Sequence, residues 1–137
     1  MTDRSQIELL LRELYAARLR NDLDGVCRAL AENARYQVIS AGLASPVAIL
    51  SVGTEQYRRL LAQMLKMFAL SDHTIQSVMI DGPKAAVHWK AKVLSKITGA
   101  AATTEVVDLF EIKDGLIESY IEFCYTRSQL AKPVSIG

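Results

Sequence analysis

Residues 103–124 read TTEVVDLFEIKDGLIESYIEFC, and this stretch decides the fold. The first run alternates. Val106, Asp108 and Phe110 share one side, and Val107, Leu109 and Glu111 share the other, as period-two side chains must. Lys113-Asp114-Gly115 follows, and Asp-Gly between two such runs is a strong hairpin signal. Beyond the turn, Tyr120, Glu122 and Cys124 form one parity set, and Ile117, Ser119, Ile121 and Phe123 the other. Two carboxylates, Asp108 and Glu122, therefore fall among apolar and aromatic residues. A charge in such company is costly unless it is partnered or neutralised. Breaks in patterning of this kind mark functional or strained positions.

Upstream, Lys84–Lys96 alternates as well, with Val87, Trp89, Ala91 and Val93 set against His88, Lys90 and Lys92. A further strand is expected over His73–Asp81, closed by Asp81-Gly82-Pro83. Before it, Thr54 caps a helix with Tyr57, Leu60, Leu61, Met64, Leu65 and Phe68 at three-four spacing. Arg35–Ser40 reads as a strand, and the apolar stretch after it as a loop holding a short strand around Val47–Leu50. At the start, Ser5-Gln6-Ile7-Glu8 reads as a capping box, followed by a stripe of Ile7, Leu10, Leu11 and Leu14. Asp22 caps a second helix that should end near Asn33, with Val26, Cys27, Leu30 and Ala34 on its buried side. The tail around Lys132-Pro133-Val134 reads as loose. The order is helix, helix, short strands, helix, then four long antiparallel strands. That order implies an α+β class, with helices on one face of a curved, mostly antiparallel sheet.

The 137 residues make one domain, 1–137. Half are hydrophobic and 23% are charged, which suits a folded core rather than disorder. The net charge of +1 is spread, with no basic run longer than Arg58-Arg59, so nucleic acid is not an expected partner. Cys27 and Cys124 are far apart and read as free thiols in a reducing cytoplasm. Met1–Arg4 lacks the layout of a signal peptide, and no apolar run approaches the ~20 residues that span a bilayer. His73 and His88 are isolated, and the glycines are single turn residues, so neither a metal nor a cofactor is expected.

The strings LYAARLRNDLDGV, GTEQYRRLL, IDGPKAAVHWKAKV and VVDLFEIKDGLIESYIEF, in this order, resemble the NTF2-like superfamily. The resemblance is strongest to its SnoaL-like and ketosteroid-isomerase-like members. It implies a cone-shaped (cystatin-like) roll, three N-terminal helices packed in a strongly curved sheet. It further implies a mainly apolar pocket and a homodimer formed through the outer sheet face. The outer parity of the last hairpin, Val107, Leu109, Ile121 and Phe123, is apolar enough for that role. The superfamily hosts isomerases, cyclases, dehydratases, epoxide hydrolases and non-catalytic binders, so the fold alone does not choose among them.

Position by position, the resemblance gives a mixed site. Asp108 falls where ketosteroid isomerases keep a protonated Asp that helps hold an oxyanion. Their general base falls on Val38. Their oxyanion Tyr falls on Leu14, with Tyr15 one residue late and turned about 100° on a helix. The Arg-x-Asp pair of the superfamily's epoxide hydrolases has no match in His88-Trp89-Lys90-Ala91, although Glu122 matches their last-strand Asp. His73 resembles a His of scytalone-dehydratase-like members.

The candidate catalytic residues are therefore Asp108, His73 and Glu122, and the candidate ligand-binding residues are Tyr15, Tyr36, Trp89, Phe110 and Tyr120. Each has a plainer reading. Asp108 is an acid or hydrogen-bond donor, or else a structural carboxylate paired with an Arg or a backbone amide. Glu122 is a base, or else pairs with a lysine at the cone mouth. His73 is a base that titrates near neutrality, or else an exposed or capping residue at a helix-to-strand junction. The aromatic residues line a pocket or simply fill the core. Two functions stay open. One is a cofactor-free isomerase, cyclase or dehydratase acting on a small apolar carbonyl compound. The other is a non-catalytic module that binds a small apolar molecule or dimerises.

Overall fold

The computed structural model describes residues 3–41 and 47–127. The element order is α1 (Arg4–Leu19), α2 (Leu23–Arg28), β1 (Leu30–Ala41), β2 (Val47–Val52), α3 (Thr54–Met67), β3 (Phe68–Asp81), β4 (Lys84–Ser95), β5 (Ala101–Lys113) and β6 (Leu116–Arg127). The six strands form one mixed sheet in the order β2-β1-β6-β5-β4-β3. Only β1 with β6 is parallel, and the other neighbours are antiparallel. The α+β reading holds. Two helices precede the sheet, and the third follows β2 rather than joining them at the N-terminus. The loose tail expected around Lys132 lies outside the described residues.

The decisive hairpin forms as its parity predicts. Asp114 and Gly115 carry it with φ of 52° and 79°, the two left-handed residues that a tight turn matched to strand twist requires. Val106, Asp108, Phe110, Tyr120 and Glu122 are buried, while Val107, Leu109 and Phe123 are exposed. Ile117 departs from its predicted parity. A register shift between Glu111 and Ile112 lets it face inward opposite Ile112.

Helix boundaries shift in instructive ways. Asp3, not Ser5, caps α1, in a reciprocal capping box with Gln6. Asp22 caps α2 as expected, accepting from the Gly25 amide at 2.9 Å. A Cβ at Gly25 would lie 2.9 Å from the Ala17 Cβ, so glycine there lets α2 close onto α1. The second helix ends at Arg28, and the chain runs into β1 from Leu30. Leu30 and Ala34 are buried as predicted, but from a strand, because β6 offers them backbone partners. Gly53, with φ of 85°, takes the cap position of α3, and the Thr54 hydroxyl donates to the Glu32 carbonyl instead.

One face of the sheet and the three helices enclose the core. Ile7, Leu11, Leu14, Tyr15 and Ala17 of α1 meet Tyr36 and Val38 of β1, and Val87, Trp89 and Ala91 of β4. Tyr57, Leu60 and Leu61 of α3 close the other side. Among the described residues no helix is long and apolar enough to cross a membrane.

Candidate active site

Among the described residues the core contains three ionisable acidic or basic side chains, Arg18, Asp108 and Glu122. Asp108 is fully buried, Glu122 is 1% exposed and Arg18 is 7% exposed. Register explains the first two. Asp108 and Glu122 are direct partners across β5 and β6, and both point to the helix side. Helical spacing explains the third. Ile7, Leu11, Leu14, Tyr15 and Arg18 fall at three-four intervals, so Arg18 continues the apolar stripe of α1 inward.

Around Glu122 the donors converge from three elements. Arg18 forms a buried ion pair with Oε2 through Nη1. The same Nη1 donates to the Tyr120 hydroxyl at 2.7 Å. Tyr120 donates to Glu122 Oε2 at 3.2 Å, and Tyr36 to Oε1 at 3.1 Å. The expectation of a lysine partner at the rim is thus replaced by an interior arginine. Its guanidinium carbon also lies 5.8 Å from the Trp89 ring centroid, within cation–π range.

Asp108 is held differently. The Tyr15 hydroxyl donates to Oδ2 at 2.5 Å and Trp89 Nε1 donates to the same oxygen at 2.7 Å. Oδ1 is buried and has no partner. Burial, then the charge of Glu122, holds this carboxyl well above the usual range. Arg18 and the two hydrogen bonds pull in the opposite direction without cancelling them. Burial and the nearby Asp108 push the Tyr15 phenol up as well. Tyr15 thus reaches the acid although it sits one residue past the family's position. The buried arc of α1 is wide enough to enclose both Leu14 and Tyr15.

His73 does not sit at a helix-to-strand junction, because β3 already starts at Phe68. It lies at a register shift between Ser71 and Thr74, beside Asp72 with φ of 51°. Such a bulge re-aims a side chain. Here it stacks the imidazole 5.5 Å from the Tyr15 ring and 4.9 Å from Trp89. Its Nε2 is buried and also lacks a partner. Burial and then Arg18 lower its affinity for a proton.

Phe110 and Tyr120 stack at 4.7 Å, and Tyr36 and Tyr120 at 4.8 Å. Trp89, Tyr36, Tyr120 and Phe110 are the largest fully buried side chains, so they fill the space the sequence assigns to an apolar pocket. Two cavities of about 440 and 430 Å³ lie elsewhere, around Glu111, Ser119 and Ile121, and of the predicted site residues only Phe110 touches either. His88 is set apart from the core network, as expected, with Nε2 2.7 Å from Glu105 Oε1.

Arg18 is the member that the sequence reading misses. Its signal is present in the chain, since it extends the stripe of Leu11, Leu14 and Tyr15 by one turn. Two inward carboxylates with no inward cation are the matching half of that signal.

The SnoaL-like domain family matches residues 11–120, and the chain belongs to it. A proposed isomerase from Bacillus subtilis superposes with a TM-score of 0.77 at 21% identity, covering 90% of this chain and 89% of its own. An LEH-like epoxide hydrolase from M. tuberculosis gives 0.67 at 16%, covering 88% and 83%. A proposed SnoaL-like polyketide cyclase from Mesorhizobium loti gives 0.63 at 20%, covering 85% and 97%. At these identities the likeness is one of fold. No curated protein matches the chain.

Proposed function

We propose that this protein is a cofactor-independent enzyme of the isomerase, cyclase or dehydratase type, acting on a small apolar carbonyl compound. The observation that carries the reading is Asp108 Oδ1, a buried acid oxygen left open while Oδ2 is filled. A neutral Asp108 places its proton on the open oxygen and offers it to a substrate carbonyl. An unmet buried polar atom costs about 1–3 kcal/mol, which a ligand oxygen recovers. His73 Nε2 accepts in the tautomer with its proton on Nδ1. It removes a proton from the carbon beside the carbonyl, and the C–H electron pair becomes the enol double bond. The oxygen takes the hydrogen bond of Asp108. In a β,γ-unsaturated ketone the proton returns from His73 to the γ-carbon, the double bond moves into conjugation as the carbonyl re-forms, and the isomerisation is complete. A ligand reaches this acid by parting the Tyr15, Trp89 and Phe110 rings, which pack together in its absence, while Tyr36 and Tyr120 stay bonded to Glu122.

The test is proton exchange at the α-carbon of small cyclic ketones in D2O, followed by NMR. Exchange by the native protein that Asp108→Asn and His73→Gln each abolish supports the reading. Ketones that bind without exchanging support a second one, a non-catalytic binder. That alternative has its own observation: Val38, where the isomerases carry their base, is a buried aliphatic residue.

The same reading includes a homodimer through the outer sheet face. Met79, Ala86, Leu109 and Ile121 align in one cross-strand row. His88, Val107, Phe123 and Ile39 align in the next. An apolar patch spread over this many strands suits a partner surface. The unpaired thiols Cys27 and Cys124 accord with a cytoplasmic setting.

A further inference from the structure

The two core carboxylates face each other across one strand pair, yet their surroundings differ in kind. Both oxygens of Glu122 are occupied, by Arg18, Tyr120 and Tyr36. One oxygen of Asp108 is doubly occupied and the other is open. A base that moves protons needs a lone pair free to reach substrate. Glu122 has donors on both oxygens, and Asp108 and His73 have the open atoms.

We propose that Glu122 is a positioning residue: its Arg18-paired carboxylate, directly across β5 and β6, keeps the proton on Asp108 and takes no part in moving it. This rests on reading Asp108 as the donor, and it removes Glu122 from the candidate bases. Charge balance decides which of the two acids carries the proton. Arg18 supplies one positive charge, and two ionised carboxylates in the same dry space would leave one uncompensated. A buried, uncompensated charge is avoided by taking up a proton. Glu122 holds the arginine, so Asp108 takes the proton.

The other groups that face Asp108 leave this assignment intact. Tyr15 and Arg18 come from α1, Tyr36 from β1, and Tyr120, Glu122 and Cys124 from β6, while His73 of β3 lies against the rings of Tyr15 and Trp89. Burial pushes all three phenols and the Cys124 thiol up, so none of them ionises near neutrality. His73 is pushed down and stays uncharged. The consequence for the ligand is specific. The site presents a hydrogen-bond donor, so it takes an uncharged oxygen acceptor in preference to an ammonium.

The measurement is the carboxyl titration of Asp108 in ligand-free protein carrying 13C-labelled aspartate, with Asp108→Asn identifying the resonance. In the native protein Asp108 titrates above the ordinary carboxylate range. In Glu122→Gln, Arg18 is released to Asp108 and the midpoint falls. A midpoint that stays in place or rises in folded Glu122→Gln overturns the proposal. Should that variant not fold, the carboxyl carbons of 13C-labelled glutamate in the native protein give the second readout: Glu122 must be ionised over the pH range in which Asp108 is protonated, and the reverse order overturns the proposal. The titration needs no ligand, so the role of Glu122 is decided even in a protein that neither binds nor exchanges ketones.

Discussion

Asp108 and Glu122 are register partners on adjacent strands, and both are buried on the helix side of the sheet. Like charges placed directly opposite one another destabilise a sheet. In this pair one member is matched by Arg18, and burial raises the proton affinity of the other.

The neutral acid makes stability depend on pH. Its folded-state affinity for protons exceeds its unfolded one, so its contribution is complete below about pH 4, the unfolded value for an Asp, and declines as pH rises toward the folded value. Asp108→Asn keeps a carbonyl for Tyr15 and Trp89 and cannot ionise. Urea unfolding from pH 4 to 9 should show the native protein losing stability relative to Asp108→Asn across that range. His73 acts with the opposite sign, losing its contribution as pH falls below its unfolded value, and it does so equally in both proteins. The difference between them therefore isolates Asp108.

Arg18→Met leaves Glu122 in the core without its cation. Breaking one side of a buried pair costs about 3–5 kcal/mol. Adding Glu122→Leu should restore most of that loss. Chemical denaturation of the single and double variants measures both, and a double variant no more stable than Arg18→Met would contradict the pairing.

Tyr15→Phe removes one of the two donors on Asp108 Oδ2 and keeps the ring against His73 and Trp89. The expected cost is about 1–2 kcal/mol, a single hydrogen bond to a polar partner. Without this donor the anion is less favoured, so the Asp108 midpoint should rise, the reverse of its shift in Glu122→Gln. The same labelled-aspartate titration reads both signs.

Leu109→Lys places a charge on the exposed face, where Leu109 is 40% accessible. Light scattering should find the native chain dimeric at micromolar concentration and the variant monomeric, with unchanged circular dichroism. A native monomer removes the outer face from the proposal and leaves the inner site untouched.

Much of this arrangement is legible from spacing. The hairpin parity places Asp108 and Glu122 on one face, because period two is strict where one side of a sheet is buried. The helix stripe places Tyr57, Leu60 and Leu61 inside. What spacing leaves out are the features that depend on partners far along the chain. The extension of β1 back to Leu30 needs β6 beside it. The inward turn of His73 needs the bulge at Asp72, which no local propensity announces. One helical residue is a large rotation, which argues against Tyr15, but a helix covered on two sides buries a broad arc. A lone arginine on an apolar stripe reads as an edge residue, and only the two buried acids require Arg18 inside.

The parallel pairing of β1 with β6 sets an order on assembly. The earliest strand of the chain lies beside the last, so the edge of β1 stays unsatisfied until residues near 120 have been synthesised. Until then Arg18 lacks Glu122, the carboxylate it pairs with. A chain released before β6 therefore exposes an unpaired strand edge and an uncompensated cation together, two features that favour self-association of truncated products.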